Sequence, residues 1–122
     1  MNPLHFSLLV LFSLMLSAGQ VLFKVTAKGL PDLNDFHALF MYFLTSISFW
    51  IALVLYGTAT MIWIFILKFI PLSQAYPFAA LGFIFVPLAS VIFFQEPINT
   101  PYILGSALII AGLGVISFYS NA

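Results

Sequence analysis

Six charged side chains punctuate this chain of 122 residues: Lys24, Lys28, Asp32, Asp35, Lys68 and Glu96. The stretches 1–23, 36–67, 69–95 and 97–122 hold none. Each is apolar and about long enough for the roughly 20 residues that a helix needs to cross the hydrocarbon core of a bilayer. The chain is 64% hydrophobic and 5% charged, with a mean hydropathy of +1.21. A soluble domain carries about 25% charged residues, so a water-facing surface cannot be built from this sequence. The fold class expected is an all-α membrane protein, a single unit over 1–122 with four transmembrane helices.

The spans are read at about 3–26, 40–68, 74–94 and 101–119. Pro3 suits the first turn of a helix, where its missing N–H costs nothing. "MNPLHFSLLVLFSLMLSAG" lacks the basic start of a signal peptide and is read as a retained first helix. "KGLPDLND" gathers turn residues into an aqueous loop. The second apolar run is too long for one upright helix, so either it tilts or its first residues lie in the interface. Pro77, Gly82 and Pro87 predict a kinked third span, because proline removes a helical donor and frees a carbonyl. The second connection, "KFIPLSQ", is tight, and "QEPINTP" forms the third. With four spans, the first and third connections share a side. The lysine bias between sides is small, which leaves insertion in both orientations open.

Charge and residue chemistry exclude several functions. There is no Cys, hence no disulfide or thiol chemistry, and the net formal charge is zero, which argues against nucleic acid as a partner. His5 and His37 lie near span ends with no other ligand in their neighbourhood, so no metal and no cofactor is expected. No nucleophile–base pair or phosphate loop appears, and no catalytic residue is assigned.

The polar residues inside the spans carry what functional signal there is. Ser13, Ser17, Gln20 and Lys24 recur at spacings of four and three, which places them on one helical face. Such a stripe faces protein or water rather than lipid. It reads either as a cavity wall or as a packing face, with Lys24 snorkelling to the interface. In "PLSQAYPF", Ser73 and Gln74 suit a helix start, while Tyr76 beside Pro77 suits a binding wall at an interrupted helix. Trp63 lies deeper than an interfacial belt residue and is a candidate for the same wall, and Lys68 is a candidate for an anionic group. In "GSALIIAGLGVIS", Gly105, Ala111 and Gly112 form a small-residue face for close helix packing, either within the chain or as a dimer seam.

Together, "AGQVLFK", "WIFILKFIPLSQAYPF" and "FFQEPINTPYILGSALIIAGLGVIS" resemble the drug/metabolite transporter superfamily, and within it single EamA-like four-helix units. The resemblance covers almost the whole chain. It implies four helices, the first three lining a cavity and the fourth pairing subunits through Gly105 and Gly112. Two branches bear on function: the small multidrug resistance exporters, and the small subunits of the aminoarabinose-lipid flippase, which move a sugar on undecaprenyl phosphate across the inner membrane. Proton-coupled exporters carry a Glu in the first helix, and matching their glycine and lysine to Gly19 and Lys24 puts that acid at Leu16. Exchange of a cation for protons needs an ionisable group there, and Leu16 supplies none.

The expectation is therefore a small transporter or flippase subunit of the bacterial inner membrane, carrying a lipid-linked sugar or similar amphipathic cargo. It would work as a homodimer or with a paired small subunit, and Ser17, Gln20, Lys24, Trp63, Lys68 and Tyr76 would contact the cargo. The alternatives are an exporter of cationic or polar metabolites, driven through Glu96 or a partner chain, and a non-transporting accessory subunit of a membrane glycosyltransferase system.

Overall fold

The computed structural model describes residues 2–119, and among these it is helical with no strand. Helix α1 spans Pro3–Lys28, α2 Phe36–Thr45 and α3 Ile47–Phe69. The short α4 (Leu72–Ala75) runs through a 3-10 segment, Tyr76–Leu81, into α5 (Gly82–Phe94), and α6 spans Thr100–Tyr119. Among the described residues, four rods are long and apolar enough to cross a bilayer: Pro3–Lys28, Ile47–Phe69, Leu72–Phe94 and Thr100–Phe118. Large apolar side chains are exposed all round, among them Val54, Met61, Ile92 and Leu108. In water that surface would aggregate; in lipid it is the solvated state. The chain is a multi-pass membrane protein.

Local chemistry sets the helix ends. Asn2 caps α1 by accepting from the Leu4 N–H at 2.9 Å, with Pro3 following as the first helical residue. Asp35 caps α2 through the Ala38 N–H at 3.1 Å, a bond that satisfies one of the orphan donors of a first turn. The stretch expected as one span over 40–68 comprises two helices. Ser46 is extended (φ −79°, ψ 114°), and its hydroxyl starts α3 by accepting from the Phe49 N–H at 3.3 Å. Breaking a helix in apolar surroundings strands carbonyls, each of which costs free energy unless it finds a donor. The Trp50 indole N–H donates to the Leu44 carbonyl at 2.9 Å and answers part of that cost.

The third rod is interrupted at Pro77 but runs on unbroken through Pro87. Pro77 opens a tighter 3-10 turn, a form usually confined to short pieces. Pro87 lies inside α5.

Helix α1 is the hub. It packs most extensively against α3, then against α5 and the 3-10 segment, while α6 leans on the 3-10 segment and α5. Leu9, Phe12, Ala59, Ile66, Ala75 and Phe78 are buried at the centre. At the loop end of α1, the Thr26 hydroxyl donates to the Leu22 carbonyl and lies 2.7 Å from the Ser48 hydroxyl. The Tyr42 hydroxyl donates to the Thr26 carbonyl at 2.6 Å. Tyr42 lies so close over Gly29 that a Cβ there would meet its oxygen at 2.5 Å. These bonds tie α1, α2 and α3 together at one end of the bundle. Because the rods alternate in direction, that end also receives the finish of α5 and the start of α6.

Candidate functional site

The end of α5 builds the site. Gln95 takes the left-handed conformation (φ 54°, ψ 33°), and its N–H bonds to the Val91 carbonyl at 3.2 Å. The chain therefore doubles back, and the Glu96 N–H reaches the Ser90 carbonyl at 3.3 Å. This aims the Glu96 side chain at α1. Its Oε1 lies 3.3 Å from Lys24 Nζ, and its Oε2 accepts from the Ser90 hydroxyl at 2.7 Å. Both charged side chains stay about half exposed (49% and 45%). A non-glycine residue at such a backbone costs about 1 kcal/mol, so Gln95→Gly is expected to raise stability by about 0.5 kcal/mol after glycine's greater unfolded-state entropy is counted. Thermal unfolding in detergent checks this.

One turn below Lys24 is Gln20, and both line a cavity of about 160 Å³ with Ser90 and Glu96, walled by Val21 and Val86. Gln20 Nε2 donates to the Tyr56 hydroxyl of α3. Tyr56 is steadied by Phe23, with ring centroids 5.1 Å apart. A second cavity of about 290 Å³ shares the Val86, Ser90 and Glu96 walls and extends to Asn99 and Tyr102. Glu96 is thus a partition between two spaces. Lys28 adds a second cation at this end, its Nζ 4.9 Å from the centre of the Phe94 ring.

The Glu96 carboxyl titrates below the usual carboxylate range. The hydrogen bond from Ser90 contributes most, followed by that from Lys24 and the fields of Lys24 and Lys28; together these outweigh desolvation. A carboxyl whose pKa is lower in the folded state adds stability above its unfolded value of about 4.3 and loses it as pH falls through the folded value. The bridge therefore holds at neutral pH and opens as pH falls through that lowered folded-state value. Carbon NMR titration of the Glu96 carboxyl is expected to give a midpoint below that of a free glutamate side chain.

The other residues singled out in the sequence lie elsewhere. Ser17 is buried, and its hydroxyl donates to the Ser13 carbonyl of its own helix at 2.8 Å. It borders an apolar groove between α1 and α5 with Ala18, Phe85 and Ala89. The polar stripe of α1 thus divides: Ser13 and Ser17 pack inward, while Gln20 and Lys24 border the polar cavity. Trp63 and Tyr76 share a groove of about 980 Å³ with Phe12, Leu16 and Ser73, near the opposite end of the bundle. Trp63 stacks on Phe12 at 4.7 Å, and Tyr76 is 67% exposed. Lys68 does not border that groove; its Nζ sits 5.6 Å from the Phe69 ring centre. Sequence reasoning missed Tyr56 and Ser90, and it left Glu96 in a loop. The available signal was topological: the ends of the first and third spans must meet on one side, which pairs Lys24 with Glu96. Among the described residues, no group of three His, Asp or Glu could hold a metal ion.

Comparison with known proteins gives a consistent set of relatives. A probable 4-amino-4-deoxy-L-arabinose-phosphoundecaprenol flippase subunit ArnE from Enterobacter sp. (strain 638) is 44% identical over 66 residues, covering 52% of this chain and 62% of that protein. The corresponding subunit ArnF from Proteus mirabilis is 29% identical over 113 residues, covering 86% of this chain and 85% of its own length. An ArnE from Pseudomonas aeruginosa is 34% identical over 67 residues, covering 55% and 58%. The chain thus spans about three-fifths of the ArnE relatives and most of the ArnF relative. No protein-family model matches the sequence, and no solved structure matches it. The relatives are named as flippase subunits, not as enzymes. The resemblance to the small subunits of the aminoarabinose-lipid flippase is borne out, in the names of the relatives and in the four apolar helices alike.

Proposed function

We propose that this chain is a small flippase subunit of the bacterial inner membrane that moves a polyprenyl-phosphate-linked sugar between leaflets. The observation that carries this reading is the polar cavity of Gln20, Lys24, Ser90 and Glu96, set at the end of an otherwise apolar bundle and open on its charged side. Lys24 attracts the cargo phosphate, having three donors of which one faces Glu96. Gln20 hydrogen-bonds sugar hydroxyls or phosphate oxygens. The apolar groove beside Ser17 lies next to this cavity, with Val21 in both walls, and guides the lipid chain. At the other end, Trp63 and Tyr76 offer faces on which a sugar ring stacks, with Lys68 nearby on α3 for a phosphate at that surface.

The chain works as a pair, with a second copy or a paired small subunit against α6. Gly105, Ala111 and Gly112 form the seam. A Cβ added at Gly105 or Gly112 meets nothing within 4 Å, so this small-residue face has room for a close helix neighbour.

Proton-coupled export through Glu96 has less support. A coupling acid must load and release its proton near the working pH, whereas Ser90 and Lys24 hold this carboxyl ionised.

The test replaces Gln20 and Lys24 together by leucine and measures lipid translocation in proteoliposomes. A loss of about tenfold or more is expected, since one charge-assisted hydrogen bond and one neutral bond disappear. Unchanged rates would remove both residues from the mechanism.

A further inference from the structure

A site that recognised phosphate alone would gain nothing from a carboxylate in its wall. Here Glu96 stands 3.3 Å from the one lysine that borders the cavity. A carboxylate at that distance repels a phosphodiester anion and weakens the attraction Lys24 exerts. The pair is also not closed on itself. A charge-assisted contact in full engagement measures about 2.7–2.9 Å, and both partners here remain about half exposed. The Ser90 hydroxyl fixes Glu96 Oε2 from behind, so the orientation of the carboxylate survives when a new group approaches Oε1.

The two cavities add geometry to this electrostatic point. The smaller, about 160 Å³, borders Lys24; the larger, about 290 Å³, borders Asn99 and Tyr102; Glu96 and Ser90 belong to both. At about 30 Å³ per water, the smaller has room for a phosphate group and the larger for a sugar ring. A ligand lying across both would place its ring beside Glu96 and its phosphate beside Lys24. Resting on the lipid-linked cargo reading, we propose that Glu96 is the specificity residue of this site. It accepts a hydrogen bond from a primary ammonium on the cargo sugar while Lys24 holds the phosphate. The chain thereby selects a zwitterionic lipid headgroup over a purely anionic one.

The competing explanation is a bridge that only fastens α1 to the turn after α5. Binding to the full chain in lipid nanodiscs separates the two. The probes are a polyprenyl phosphate bearing a 4-aminosugar and the same lipid with its amine acetylated. The unmodified chain is expected to prefer the free amine by about tenfold, the worth of one half-exposed charge-assisted bond. Glu96→Gln is expected to abolish that preference while holding the acetylated lipid within about twofold of the unmodified chain, because a neutral ligand group loses little there. Lys24→Gln weakens both lipids. The swapped pair Lys24→Glu with Glu96→Lys keeps a bridge, and it is expected to unfold like the unmodified chain yet lose the preference. Equal binding of both lipids by the unmodified chain, or a preference that survives Glu96→Gln or the swap, overturns the assignment and leaves the lipid-cargo reading standing. Binding of neither lipid removes that reading and this one together.

Discussion

Gly19→Val is expected to destabilise the bundle by about 3 kcal/mol, the upper part of the range for overpacking a close contact. A Cβ on residue 19 would meet Tyr56 Cε2 at 2.2 Å and Cδ2 at 2.7 Å. Real contacts do not approach that closely, so the ring must leave. Tyr56 cannot leave without giving up its hydroxyl bond to Gln20. The loss therefore has two signatures, a lower unfolding temperature in detergent and a Gln20 side chain released into the cavity. Gly19→Ala makes the same clash with one carbon, and it should show the same pattern at about 1–2 kcal/mol. A melt unchanged by the valine would mean that α1 and α3 do not meet at this register.

Leu9→Ala is the second large effect, at about 2 kcal/mol. Leu9 is fully buried in the cluster with Ile66 and Phe78. In a soluble core the same change costs about 2–5 kcal/mol, part transfer from water and part cavity. Lipid tails solvate leucine as well as the protein interior does, so the transfer part is small and lost packing dominates. That places the expectation at the low end of the range. Steric trapping or denaturant unfolding in mixed micelles measures it, and a cost near that of an exposed site such as Leu108, which is 75% exposed, would contradict the packing described.

Much of the fold was legible because charge is so scarce. Gaps between charged residues delimit the rods, and Pro77 correctly announces the interruption before α5. What failed to show was decided by tertiary bonds. The stretch over 40–68 has apolar composition throughout, and nothing local distinguishes one tilted helix from two. The break at Ser46 is stabilised by Trp50, whose indole reaches back to the Leu44 carbonyl, a contact between two elements. The site was half legible. A glutamine and a lysine on a membrane helix stand out by residue type alone. Their partners Tyr56, Ser90 and Glu96 depend on how α3 and α5 are set against α1, which no pattern within one helix encodes. Gln95 was the hardest to foresee, because a left-handed helix end usually carries glycine, and here the sequence offers none.

That left-handed turn has a mechanical consequence. Residues 95–99 are the whole link between α5 and α6, and Pro97 restricts their freedom further. Glu96 therefore sits on a short, stiff crank whose other arm is α6. If α6 slides or rotates against α1, the link has little slack to absorb the displacement, and the gap between Glu96 and Lys24 widens or narrows with it. A partner helix that grips α6 would in this way hold a handle on the proposed headgroup site, and the 3.3 Å spacing becomes a gauge of where α6 stands.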